Sequence, residues 1–425
     1  MPRLLLLSTT TGYQTRAFGQ AAAALGIEVV FATDRCHLLD DPWRDGAIAV
    51  RFHEPAASVR AIVAAAGARP FDGVLALGDR PAVLAAQAAE ALALPGHPPA
   101  AVVSARDKRL ARARFREAGL PVPWTMAAAV TDDPAALGAG LPYPVVIKPT
   151  VLSASRGVMR ADTPEAFVAA FARLRALLDA PDVRETRDEA TAAIQVERFV
   201  PGAEYAVEAV LEHGRARVLA IFDKPDPLDG PFFEETIYLT PTRAPRGTGD
   251  AVVEAVLRAA RALGLSHGPI HGECRVNDEG VFVLEVAARP IGGLCARALR
   301  FTRGAGETCG LEALLARHAV GEALDGWRRE APASGVMMIP IPRGGVFKGV
   351  AGVAAAAAVP GVEEVTITAK PDQVLVPLPE GASYLGFIFA RGPEPAGVDA
   401  ALRAAHAALA FDIAPAIAVR TAAGA

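Results

Sequence analysis

Apolar and polar residues alternate with a period of two in a pair of adjacent stretches between His271 and Arg289, HGECRVNDEGVFVLEVAAR. This pattern predicts two strands joined as a hairpin. The turn falls at Asp278-Glu279-Gly280, and a three-residue loop with glycine at its left-handed last position is a favoured geometry. In that register Glu273 stands opposite Glu285. Side chains alternate faces along a strand, so one face would carry Cys274, Val276, Phe282, Leu284 and Val286, and the other His271, Glu273, Arg275 and Glu285. A two-residue loop would put the two glutamates on opposite faces and leave Glu285 among apolar side chains. The three-residue loop is therefore expected.

Upstream the pattern differs. Apolar runs at residues 4–8, 27–32 and 73–76 alternate with helical patterns at 15–25 and 59–66. That rhythm predicts an α/β fold with a parallel sheet covered by helices on both faces. The first turn, Thr9-Thr10-Thr11-Gly12, lacks the GxGxxG spacing and argues against a dinucleotide-binding fingerprint. A charged helix, SARDKRLARARFREAG, is expected to run from Ser104 to Gly119, with Pro121 and Pro123 beyond its stop. Residues 144–160 form strand, loop, strand in this reading; 164–179 form a helix and 181–190 a charged loop. Two strands flank Pro201-Gly202 within 194–211, and a helix at 249–264 leads into the hairpin. After about residue 332, short β runs (SGVMMIPIPRGGVFKGV, VEEVTITAKPDQVLVPL, YLGFIFARG) closed by a helix at 396–409 predict a separate α+β module. The expected organisation is an N-terminal α/β part at 1–103, a central part at 104–330 with a small subdomain at about 120–198, and a C-terminal module at 331–425.

Composition narrows the class. The 425 residues are 52% hydrophobic, enough for several cores, and a net charge of −4 gives no footprint for nucleic acid. No apolar run reaches the length of a membrane span; the nearest, 349–362, is mostly Ala and Gly and contains Pro360. The apolar run at residues 4–7 is too short for a signal-peptide core. Four cysteines, at 36, 274, 295 and 309, show no CxxC or metal-finger spacing, which fits a reducing cytoplasm.

The chemistry-bearing residues each have an ordinary alternative. Two carboxylates directly opposed in a hairpin repel. A divalent cation between Glu273 and Glu285 removes that conflict, and oxygen-only ligands suit magnesium; Arg275 neutralising a surface pair is the alternative. Lys148 ends the apolar strand Val145-Val146-Ile147, as a phosphate ligand or a solvated strand end. In Ser153-Ala154-Ser155-Arg156-Gly157, small residues leave backbone N–H groups free to wrap phosphate oxygens, and such a loop can close over a nucleotide. Lys108 lies among Arg106, Arg109, Arg112, Arg114 and Arg116, which alone describes a solvated basic helix. Glu197 at a strand end, with Glu204 soon after, can accept from an adenine amino group or a ribose hydroxyl, or form an edge salt bridge. Arg289 can hold a carboxylate or phosphoryl group bidentately, or pair with Glu285.

The order Lys108, Lys148, small-residue loop, Glu197, Glu273, Glu285, Arg289 resembles the ATP-grasp superfamily of carboxylate–amine ligases. The pieces RDKRLARARFREAGLPVP, YPVVIKP, SASRGV, VERFVPGAEY, HGECRV and LEVAARPIGG carry the resemblance over roughly residues 104–293. It implies an ATP-grasp fold, two α+β subdomains clasping ATP. It implies that Lys108 and Lys148 contact the nucleotide and its phosphates, and that Ser153, Ser155, Arg156 and Gly157 belong to a mobile phosphate loop. Glu197, with Arg198 and Val200 beside it, would meet the adenine, and Glu204 the ribose. Glu273 and Glu285 would carry magnesium, with manganese as a substitute. Many relatives have Glu-x-Asn-x-Arg at the second metal strand; here the run is Glu285-Val286-Ala287-Ala288-Arg289, and Ala287 cannot ligate. The Glu-x-Ala-Ala-Arg form and the C-terminal β runs are similar to the L-amino acid ligase branch, of the bacilysin-synthetase type. There the arginine helps hold substrate or intermediate, which makes Arg289 the expected catalytic residue. The implied reaction joins a small-molecule carboxylate to an amine through an acyl phosphate, with neither nucleic acid nor membrane as partner and with a homodimer as the assembly. His271 would tune the acceptor amine or be structural, and Asp223-Lys224-Pro225 and Phe232-Phe233-Glu234-Glu235 are candidates to line the substrate pockets. The alternatives are a purine-pathway or carboxylase-type ATP-grasp enzyme and a catalytically silent ATP-binding regulatory protein.

Overall fold

Leu4, Leu5, Leu6 and Leu7 are each no more than 1% exposed. A strand apolar on both faces requires a sheet covered on both faces. In the computed structural model, which describes residues 1–9, 14–34, 47–304 and 306–416, Arg3–Ser8 sits inside a four-stranded parallel sheet. The order is Ala47–Ala49, Glu28–Thr33, Arg3–Ser8, Gly73–Leu77. Leu5 and Leu7 share a core with Ile62 and Leu84, while Leu4 and Leu6 share another with Phe18 and Leu314. Thr10, Thr11 and Gly12 of the first turn, and Cys36, lie outside the described residues. The last strand ends at Gly78 (φ +102), which hands the chain to the helix Asp79–Ala91. Asp79 thereby stands at the carboxyl end of a parallel sheet, where ligands bind in such folds.

A second sheet is antiparallel and ordered Thr125–Ala129, Ala193–Arg198, Val145–Pro149, Met159–Ala161. Phe167, Phe171 and Leu174 of the helix Pro164–Leu178 share a core with Val145, Ile147 and Val196. The third sheet has eight strands: Gly280–Ala287, Gly268–Asn277, Ala203–Glu212, Arg215–Lys224, Ile237–Thr240, Ala333–Ile339, Gly386–Gly392 and Val362–Ile367. Its last three strands come from residues after 332. Ala333–Ile339 pairs directly with Ile237–Thr240, so the sheet runs through that point without a break. Local alternation specifies a strand, not the sheet it joins.

The helix Arg246–Leu263 buries Val252, Ala255, Val256, Ala259, Ala260 and Leu263, one apolar stripe. Gly264 (φ +85) ends it as a left-handed cap. The stripe lies against the bare backbone of Gly272, where a Cβ would come within 2.3 Å of Val256 Cγ1. That contact fixes the hairpin's depth.

Two expectations are corrected. The charged helix from Ser104 is broken: Pro99–Arg106 ends at Asp107, which caps a new helix, Lys108–Glu117, by accepting from the N–H groups of Arg109 (2.9 Å) and Leu110 (3.5 Å). The hairpin does pair Glu273 with Glu285, but through a two-residue loop, since Asn277 faces Gly280. A bulge between Glu273 and Cys274 restores the register, an extra residue in one strand doing what the longer loop was expected to do. Consequently Val281 and Val283 face the core with Cys274, while Leu284 lines the cavity. No described helix is long and apolar enough to cross a membrane.

Candidate active site

All three sheets contribute to one cavity of about 350 Å³. Lys108, Lys148, Ser153, Ser155, Glu197, Arg198, Val200, Glu204, Glu273, Glu285 and Arg289 all line it. Of the residues expected there, Arg156 and Gly157 are not on its wall.

At one end Lys148 and Glu197, diagonal cross-strand neighbours two residues out of register, form a buried ion pair. Arg112 joins it, its Nε 2.7 Å from Glu197 Oε1 and its Nη1 donating to Leu284 O at 2.9 Å. Arg112 is 1% exposed, so the basic helix is not simply solvated. Burial would raise the Glu197 carboxyl, but the Arg112 and Lys148 charges outweigh it and hold the group at about 2. Burial, against the pull of Glu197, brings Lys148 down to about 8. Arg198 donates to Glu279 at 2.8 Å, and Val200 O accepts from Arg275 at 2.8 Å. Lys108 bridges regions: its N–H donates to Thr150 O (3.0 Å), its Nζ donates to Leu152 O (3.0 Å), and the same Nζ lies 3.4 Å from Glu285 Oε2.

The eight-stranded sheet supplies the most densely charged wall. Lys224 Nζ donates to Glu204 (2.8 Å), Glu235 (2.6 Å) and Glu273 (2.8 Å). Tyr238 Oη bridges Glu235 (3.0 Å) and Glu273 (3.1 Å). Arg275 fixes Glu204 at 2.8 Å rather than neutralising a surface pair. His271 lies between Glu208 and Glu273, the latter at 3.2 Å. Burial lowers its affinity for a proton, yet Glu208 and Glu273 more than compensate and raise it to about 9. Burial next to Glu273 raises Glu235 to about 7. Glu204, Glu235 and Glu273 present one oxygen each within 4.8 Å of one another. All-oxygen donors suit a hard divalent cation, and Lys224 Nζ already sits among these three as their shared positive charge.

Arg289 does not pair with Glu285. Its Nε and Nη2 hold Asp79 of the parallel sheet at 2.9 and 3.2 Å, a bidentate fork that ties the first sheet to the hairpin. Opposite, Leu152 (φ +101), Ala154 (+56) and Ser155 (+54) are three of the seven non-glycine residues of positive φ among those described. Strain concentrated in so short a stretch marks a segment held for function. Ser153, Ala154 and Ser155 face the cavity. Arg156 and Gly157 face away, their Nε and N–H donating to Glu380 O and Pro379 O at 2.8 Å each.

Residues 141–298 match the model of the ATP-grasp domain, 19–96 the ATP-grasp N-terminal domain and 337–414 the L-amino acid ligase C-terminal domain 2. The chain belongs to the ATP-grasp superfamily. A crystal structure of an L-amino acid ligase from Bacillus licheniformis superposes with a TM-score of 0.81 at 26% identity, covering 97% of this chain and 99% of that one. Carnosine synthase 1 of Gallus gallus is 32% identical over 58% of this chain and 27% of its own length. Alanine–anticapsin ligase of Bacillus subtilis is 28% identical over 54% of this chain and 51% of its own. The matches span from about a quarter to just under two thirds of the length of the curated relatives.

Within this ATP-grasp frame, sequence reasoning missed Asp79, Arg112 and Glu208, and left Lys224 and Glu235 without roles. Asp79 had a usable signal, an acidic residue directly after the glycine that ends a buried parallel strand. Glu208 had a weaker one, a charge inside the apolar run of Ala203–Glu212. Arg112 was masked by the arginines around it.

Proposed function

We propose that this protein is an ATP-dependent carboxylate–amine ligase acting on amino acids or related small carboxylates, releasing ADP and phosphate. The observation that carries the reading is the convergence on one cavity of Lys108, Lys148, Glu273, Glu285 and Arg289 from separate segments. The likeness to an L-amino acid ligase over nearly the whole chain, with its C-terminal domain matched, supports amino acids over nucleotide amines or bicarbonate.

A carboxylate oxygen attacks the γ-phosphorus of ATP, the bond to the β,γ-bridging oxygen breaks, and ADP leaves with that electron pair. The amine nitrogen then attacks the acyl carbon, the carbon–oxygen bond to phosphate breaks, and the nitrogen loses a proton as the amide forms. Catalysis of the first step is mostly positioning and charge stabilisation. Lys108 and Lys148 hold phosphate oxygens, and the backbone N–H groups of residues 153–155 cover them. Glu197 keeps Lys148 aimed, with Arg198 and Val200 beside the base and Glu204 towards the ribose. Arg289, braced by Asp79, holds the reacting carboxylate. His271 orients the Glu273 carboxylate, 3.2 Å away. Magnesium, held by Glu273 and Glu285 with Glu204 and Glu235 at hand, would neutralise phosphate charge when bound.

The test is turnover of the purified protein with Mg-ATP and pools of amino acids, reading ADP, phosphate and product mass together. One amide per ADP and per phosphate, for a defined substrate pair, is the expected result. ATP binding with no turnover for any pool would leave the regulatory reading in its place.

A further inference from the structure

The segment 376–384 joins the strands Val374–Leu375 and Gly386–Gly392 and reaches across to the small subdomain. Its far end, Ala382 and Tyr384, lines the same cavity as Ser153, Ala154 and Ser155. Its middle is fastened to the back of the loop that carries those serines. Gly157 N–H donates to Pro379 O at 2.8 Å, and Arg156 Nε to Glu380 O at 2.8 Å. Arg173, on the helix Pro164–Leu178, grips the Glu380 carboxylate with both Nε and Nη2, the latter at 2.8 Å. A side-chain fork and two hydrogen bonds to backbone carbonyls, one from a side chain and one from a backbone N–H, therefore converge on two adjacent residues.

We propose that Glu380 is a positioning residue that latches the 376–384 segment onto the phosphate loop and so keeps water from the activated carboxylate. This rests on the ligase reading and extends it. The latch belongs to neither substrate: it joins the loop over the phosphates to the segment whose Tyr384 borders the cavity beside Met338 and Cys295. Closing one side therefore closes the other. The strength of the pair suits a cover that opens in every cycle, since Arg173 and Glu380 are 43% and 36% exposed and an exposed pair contributes little. When the latch is open, water takes the place of the amine: the carbon–oxygen bond of the acyl phosphate breaks, and the carboxylate is returned unchanged with ADP and phosphate released.

The readout is the ratio of ADP to amide, which a merely structural residue would not move at constant fold. Glu380→Ala and Arg173→Ala are each expected to raise ADP per amide by about fivefold, with thermal midpoints unchanged. The reversed pair, Glu380→Arg with Arg173→Glu, should return the ratio towards the wild-type value. Hydrogen exchange of the Gly157 amide, which donates to Pro379 O, should quicken in both single variants and slow again in the reversed pair. An unchanged ratio and unchanged Gly157 exchange in the single variants would overturn the latch. Should the wild type form no amide with any pool, the ligase reading fails, and the exchange measurement alone still decides the latch.

Discussion

On the eight-stranded sheet, Glu204, Lys224, Glu235, Glu273 and Arg275 hold one another in a closed set of ion pairs, and Lys224 is buried at its centre. Across the cavity, residues 152–157 carry no such set. Ser153, Ala154 and Ser155 present small side chains to the cavity on a strained backbone, secured from behind by a partly exposed fork and two hydrogen bonds to backbone carbonyls. The first wall has its charges fixed before anything binds, and fixed dipoles and charges stabilise developing charge most effectively in a site closed to water. In the proposed reaction the second wall is the part that would open to admit substrates and release products. Rigidity and mobility are divided between two parts of the chain that face each other across the cavity.

The largest expected effect comes from the fixed wall. Glu285→Ala should lower kcat by about a thousandfold, roughly 4 kcal/mol of transition-state stabilisation, with circular dichroism unchanged because, among the described residues, the Glu285 carboxylate is held by one long contact, to Lys108 at 3.4 Å. Turnover at the wild-type rate in a folded Glu285→Ala protein would remove this residue from the metal assignment. Lys224→Met should cost about 3–5 kcal/mol in urea denaturation, since it leaves one buried and two partly buried carboxylates without their shared cation. An unmoved midpoint would mean that the wall is not a mutually dependent set. Arg289→Lys should lose roughly a hundredfold in kcat, because a lysine cannot form the fork to Asp79 and substrate together; unchanged kinetics would make Arg289 structural.

Acid offers a contrast away from both walls. His97 accepts from the N–H groups of Ser266 and His267 at Nδ1 and donates to Pro269 O from Nε2, an arrangement that needs the neutral ring. Burial pulls both His97 and His318 down from 6.5 to about 4. A group whose folded value is depressed lends stability above its unfolded value, and loses it as pH falls through the folded one. The urea midpoint should therefore drop between pH 6.5 and 4. A flat midpoint over that range would show these rings to be solvated. The smallest effect, about fivefold, is the change in ADP per amide at the latch.

The two walls were also unequally legible. The parallel strands, the helix Arg246–Leu263 and the facing of Glu273 by Glu285 follow from periodicity, because each is specified by its own residues. The bulge beside Glu273 was hidden, since it changes register without changing composition. Lys148, Glu197 and Arg289 were recognisable by type and place. Their partners Arg112 and Asp79 were not, because those contacts span 85 and 210 residues and no local pattern records them. The latch was invisible for the same reason: Glu380 sits in an ordinary turn until folding brings Arg173 to it.

The central claim is that phosphate is transferred to the substrate carboxylate before the amide forms. Turnover with the carboxylate labelled with heavy oxygen tests it directly, reading the label in the released phosphate by mass spectrometry. One labelled oxygen in each phosphate, with ADP as the nucleotide product, is the predicted result. Unlabelled phosphate, or AMP as the product, would contradict it.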